Sequence, residues 1–187
     1  MTVRRWNRLV WLAFALSFAA AVQATTLVRM DLDQLTATAS TVARVRCLGN
    51  EVRVEGGEIW TFTYFEVLET LKGSAPREIT VRLLGGRIGG FVSTVDGVPR
   101  FREGEEVFLF LEPTRAGDLS VTSWVQGTFR IERDNLKQEL VTQDTSGLAV
   151  FDPATRQFRP GGIRRLPMEE FRQRVRAAVE KQRRSQQ

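Results

Sequence analysis

The chain has no histidine and only one cysteine, Cys47. Without histidine it lacks the usual base for activating a serine or cysteine nucleophile, and the commonest zinc ligand. A lone cysteine cannot close an internal disulfide, so stability has to come from an ordinary hydrophobic core. Cys47 alternates with Val45 in a run that reads as a strand, which makes it a small buried hydrophobe. A reactive thiol or an intermolecular disulfide is the alternative. Nucleotide motifs are missing too: there is no GxxxxGK[ST], and no GxGxxG follows a strand and opens a helix. No cofactor and no metal site are expected.

Long apolar runs are also scarce. The longest, Leu9 to Val22, has 14 residues, whereas a membrane-spanning helix needs roughly 20. Arg4, Arg5 and Arg8 precede it with no acid among them, and Val22-Gln23-Ala24 supplies small residues where a signal peptidase reads. Residues 1–24 are therefore expected to be a Sec-type signal peptide, cleaved after Ala24, with the mature protein periplasmic or extracellular. The Arg4-Arg5 pair leaves the twin-arginine route as the alternative. No transmembrane anchor is expected after cleavage.

The remaining 163 residues carry 24 basic and 22 acidic side chains. These charges are segregated. Residues 25–155 hold fourteen basic and nineteen acidic residues, and residues 156–187 hold ten and three. A basic tail on an acidic body suits an acidic partner or surface. It equally suits a solvated helix face whose arginine stems cover apolar surface. Export makes nucleic acid an unsuitable target.

What is present is mostly strand. Asp31 and Gln34 form a capping-box pattern over a short helix. Residues 41–47 and 51–54 alternate with an interruption at Gly49-Asn50, and Gly56-Gly57 turns into a long strand from Ile59 to about Thr70. Further alternation marks 79–83, 105–112, 119–125, 129–132 and 139–141. Short strands at this spacing predict an antiparallel sandwich or small closed barrel spanning 25–147. Residues 148–165 read as irregular. Met168, Phe171, Val175 and Val179 then recur at helical spacing behind Pro167. Alternation on the long strand puts Trp60, Phe62 and Tyr64 on one face, and the terminal helix is expected to cover that stripe.

The connection between Leu84 and Glu105 is too long to be filler. Gly85, Gly86, Arg87, Ile88, Gly89 and Gly90 open it, and Pro99, Phe101, Glu103 and Glu105 close it. Paired glycines permit close backbone approach, either to the fold itself or to a ligand. These ten residues are the candidate binding residues. No catalytic residue is assigned, because Glu105 and Glu106 point to opposite faces of a strand and no second carboxylate is placed beside them.

Together these pieces resemble a group of exported bacterial proteins without an assigned activity. The resemblance rests on Val42–Val45, Phe65-Glu66-Val67 leading to Leu71-Lys72-Gly73, Gly85-Gly86 with Gly89-Gly90, Pro99-Arg100-Phe101, Gly104–Leu111 and Gln126–Phe129. It covers most of residues 31–133. More distantly the chain is similar to netrin-like domains and tissue inhibitors of metalloproteinases, which implies an OB-type barrel. Those inhibitors engage metal through an N-terminal cysteine. Here Thr25 is the expected mature N-terminus and Cys47 lies within a strand, so that chemistry does not carry over.

Three functions stay open: a non-enzymatic interaction module with an exported protein partner, a carboxylate-based hydrolase of the envelope, and an envelope structural protein with a surface-binding tail. Export is checked by N-terminal sequencing of the secreted protein. The first residue is expected to be Thr25, and a secreted chain that retains Met1 contradicts the signal.

Overall fold

The computed structural model describes residues 28–145, 149–153, 155–185 and 187. The expected signal peptide and its cleavage site lie outside the described residues. Helix α1 (Leu32–Thr38) opens with both halves of the capping box in place. The Gln34 amide donates to the Asp31 carboxylate and the Asp31 amide to the Gln34 side chain, each at 2.8 Å. Such a cap stabilises a seven-residue helix by about 1 kcal/mol, and packing must do the rest.

Strands β1 (Thr41–Glu55) and β2 (Glu58–Lys72) form a long hairpin. Gly56 and Gly57 make the turn with φ of 61° and 83°, which only glycine adopts freely at both positions. The interruption read at Gly49-Asn50 is a bulge within one continuous strand, marked by a register shift between Cys47 and Gly49. After β3 (Glu78–Leu84) come a small hairpin, β4 (Gly86–Ile88) and β5 (Phe91–Ser93), then β6 (Glu106–Pro113) and β7 (Leu119–Val121). A 3-10 turn at Trp124–Gly127 follows where the alternation suggested more strand. Next are β8 (Thr128–Arg133), β9 (Glu139–Gln143), the hairpin β10 (Ala149–Asp152) with β11 (Gln157–Pro160), β12 (Leu166–Pro167) and helix α2 (Met168–Ser185). The stretch read as irregular, 148–165, thus contains a hairpin, and a short strand paired with β9 follows directly after it.

The main sheet runs β1-β2-β3-β7-β6, and β6 returns to β1, so five strands form a ring. The ring closes between β3 and β7 through the single parallel bridge Val81–Leu119. The fold is mainly β, as expected, but the sheet is curled and the ring is not a clear barrel. Beyond β6 the sheet continues to β8, β9 and β12.

Strand β6 divides the core. Val107, Leu109 and Leu111 face the ring interior with Val45, Cys47, Phe65, Val81 and Leu83. Phe108 and Phe110 face outward to a second cluster with Leu35, Val42, Phe129, Phe171 and Val175. Cys47 is buried inside the ring, as a small hydrophobe should be. Helix α2 sits on the second cluster, with the Phe171 ring 4.9 Å from both Phe108 and Phe129. The expected position over Trp60, Phe62 and Tyr64 is therefore corrected. The helix is buried against the sheet, but on the outer face of β6, where Phe108, Phe110 and Phe129 cluster with the helix's apolar stripe, while arginines lie over the Trp60 and Phe62 rings. Phe171→Ala should cost about 3–5 kcal/mol in urea unfolding. Removing residues 166–187 should uncover Phe108 and Phe129 and produce dye binding and association. Unchanged stability in both variants would contradict this packing.

Candidate functional site

The glycine-rich connection proves to be a clamp at its base and an apolar knob at its tip. Gly85 has φ of 83°, and a Cβ there would lie 2.5 Å from the Ser93 carbonyl oxygen. A Cβ on Gly86 would lie 2.7 Å from Thr61 Oγ1 and 2.9 Å from a Val52 methyl. The first glycine pair therefore lets β4 lie against β1 and β2. Thr61 fastens it by donating to the Gly85 carbonyl at 2.7 Å. Gly89 and Gly90 form the turn of the β4–β5 hairpin in open space. Arg87 is exposed and Ile88 half-buried. Phe91 and Val92, just beyond the turn, are 75% and 57% exposed.

The closing half of the connection behaves differently. Pro99 and Phe101 are buried, and Phe101 packs edge-on against Phe65 with ring centroids 5.1 Å apart. The Asn50 amide on the β1 bulge donates to the Phe101 carbonyl at 3.0 Å. Phe101 thus seals one end of the ring. Glu103 is exposed, whereas Glu105 is half-buried and paired with Arg130. Arg130 also reaches Asp144 at 2.7 Å and the Arg100 carbonyl at 3.0 Å. The ten candidate residues therefore separate into a clamp, a tip, a core plug and an ion pair.

The Trp60, Phe62 and Tyr64 face was read as surplus apolar surface needing a cover. Arginines provide it. Arg82 lies 4.0 Å above the Trp60 ring and 5.5 Å from Phe62, and Arg53 lies 4.8 Å from Phe62. Tyr64 donates to Glu51 at 2.8 Å. Where β3 and β7 diverge beyond their bridge, a cleft of about 330 Å³ opens beside this face. Trp60, Arg82, Arg115 and Trp124 line it. Sequence reasoning missed this cleft, because its walls come from three separate parts of the chain.

A larger cleft, about 590 Å³, lies between α1, α2 and the chain near Gln126 and Gln143. Its polar floor is already engaged. Gln126 accepts from the Met30 amide at 2.9 Å and donates to the Val28 carbonyl, and Gln143 donates to the Gln126 carbonyl at 2.6 Å. Acids elsewhere are similarly tied. Glu106 accepts from Arg44 Nε at 3.1 Å and from Arg46 Nη2 at 2.8 Å. Burial pushes the Glu106 carboxyl up, but the hydrogen bonds from Arg46 and Arg44 outweigh it and leave it below the ordinary 4.5. A carboxyl held ionised in this way cannot serve as a general acid near neutrality. Among the described residues, no group of three or more acidic or sulfur side chains is placed to hold a metal.

Comparison with known proteins gives no family: no family model matches the chain, and no curated protein does.

The depressed Glu106 pKa makes a pH prediction. Its contribution to stability is complete above the unfolded carboxylate pKa and is lost as pH falls through the lower folded value. Glu106→Gln should cost about 1–2 kcal/mol at neutral pH and flatten the acid limb of stability against pH. An acid limb as steep as in the wild type would show that Glu106 is not part of it.

Proposed function

We propose that the chain is an exported, non-enzymatic binding module that engages a protein partner through the β4–β5 hairpin. The observation that carries this reading is the exposure of Phe91 and Val92 on a hairpin whose base is clamped. An apolar tip on an ordered support loses little conformational freedom on association, which favours recognition. Support for export comes from the basic start, the apolar stretch and the small residues before Thr25. A partly open ring of five strands also supports an OB-type assignment, in which strands and loops present ligands to one face.

Both competing readings are weaker on specific grounds. For a hydrolase, Glu105 and Glu106 are already bound to arginines. For a surface-binding tail, the cations of α2 largely face the protein's own acids. Arg172 and Arg176 pair with Glu69, Lys181 with Asp33 and Arg174 with Glu170.

A photo-crosslinking residue placed at the exposed position 87, beside the tip, should trap a discrete exported protein. The same residue at Leu136, which is 79% exposed on the β8–β9 turn, should not. Adding Phe91→Ser and Val92→Ser should abolish the complex trapped from position 87 while keeping stability within about 0.5 kcal/mol. Equal trapping from positions 87 and 136, or trapping unchanged by the two serines, would remove the hairpin from the reading.

A further inference from the structure

The cleft at the ring seam has a composition that points to its own ligand, independently of the hairpin. Its lining combines two indoles (Trp60, Trp124), two guanidinium groups (Arg82, Arg115) and two hydroxyls (Thr114, Ser120), with no carboxylate. Residues 25–155 carry more acids than bases, so an acid-free pocket with two arginines departs from its surroundings.

The two arginines are unequal. Arg82 lies over Trp60, its Cζ 4.0 Å from the ring centroid, with one terminal nitrogen 3.0 Å from Glu55, and its Nε is buried without an acceptor. A buried guanidinium N–H lacking an acceptor is costly and calls for an explanation at the site where it occurs. Arg115 is exposed on the β6–β7 turn and, among the described residues, has no acidic or hydrogen-bonding partner. Trp124 follows Ser123, and both have positive φ, 52° and 53°. Neither residue is glycine, so the backbone is strained where it delivers the indole to the cleft.

The chemistry that satisfies this lining is a single negative charge on a six-membered ring with one apolar face and several hydroxyls. Guanidinium forks match carboxylate geometry, and indole faces pack against the apolar face of a ring. Glu55 already offsets Arg82, and Asp118 stands in the same turn as Arg115, so the site lacks the charge for a dianion. The volume, about 330 Å³, accommodates one substituted six-membered ring. Thr114 and Ser120 supply partners for ring hydroxyls, which favours a sugar over a bare aromatic acid. We infer that the seam cleft binds a uronic-acid unit of an acidic glycan. Arg115 and Arg82 face its carboxylate, and Trp124 and Trp60 face its ring.

Calorimetric titration of the full chain with trigalacturonate tests this, with maltotriose, benzoate and inorganic phosphate as comparison probes. Saturable binding of trigalacturonate is expected, with maltotriose weaker by at least about tenfold because it lacks the charge. Arg115→Ala should weaken trigalacturonate binding about tenfold or more, and Arg115→Lys should restore part of it. Arg115 is exposed and unpaired, so the alanine variant should keep its fold. Trp60 and Trp124 are two of the four tryptophans, so binding should also change intrinsic fluorescence, at about tenfold or more higher trigalacturonate concentration in Arg115→Ala than in wild type. The Phe91→Ser, Val92→Ser variant should bind trigalacturonate unchanged. Failure of trigalacturonate to bind, or equal binding of maltotriose, overturns the proposal. So does an unaltered affinity in Arg115→Ala. Tighter binding of benzoate or phosphate than of the uronate overturns the sugar assignment.

Discussion

Five consecutive side chains of β6, Val107 through Leu111, are fully buried, and the rest of the molecule is arranged around that fact. A strand buried on both faces needs a layer on each side and a neighbour on each edge. The ring interior supplies one layer, and α1 with α2 supplies the other. β1 takes one edge, and β7 and β8 share the other. Side chains alternate with period two, so a slip of one residue would exchange Phe108 and Phe110 with Val107, Leu109 and Leu111. Two phenylalanines would then be forced into the ring and three smaller residues would meet the helix. Register is therefore specified by volume as well as by polarity.

This double burial explains what the sequence disclosed and what it concealed. Turn chemistry was plain: Gly56-Gly57 reads as a hairpin because both positions need positive φ. The capping box at Asp31 and the apolar stripe of α2 were equally direct, since both depend on neighbours within a few residues. Placement of α2 was not legible. Its stripe matches any apolar face of similar size, and a continuous apolar run such as Val107–Leu111 does not say which layers will cover it. The stripe at Trp60, Phe62 and Tyr64 was correctly legible as needing a cover. That cover came from Arg53 and Arg82, whose side chains also count as charge when composition is read alone.

Charge segregation along the chain has a similar resolution. An acidic body and a basic terminal helix look like a module and a tail when counted by segment. In the fold they are counterparts. Glu69 on β2 faces Arg172 and Arg176, and Asp33 on α1 faces Lys181. Exposed pairs of this kind add little stability individually. They nevertheless orient the helix, because Phe171 and Val175 fix its apolar face while Glu69 and Asp33 mark opposite ends of its polar flank. The helix belongs to the same packed unit as the sheet.

Both surfaces with the chemistry of recognition lie where the ring is least complete. The β4–β5 hairpin fills the connection between β3 and β6, and the seam cleft opens because β3 and β7 share one bridge. A fully laddered ring would pair the backbone groups at the seam and leave no room for Arg82, Arg115 and Trp124 to converge. Stability is concentrated elsewhere, in β6 and the two clusters on either side of it. With the core anchored there, the seam can tolerate a buried nitrogen without an acceptor and two residues in the left-handed region. Those local departures cost folding free energy that a tighter closure would avoid. Their coincidence at one acid-free, indole-walled cleft is the physical reason to place binding there rather than in the larger cleft beside α2, where the Gln126 and Gln143 side chains are already hydrogen-bonded to backbone groups.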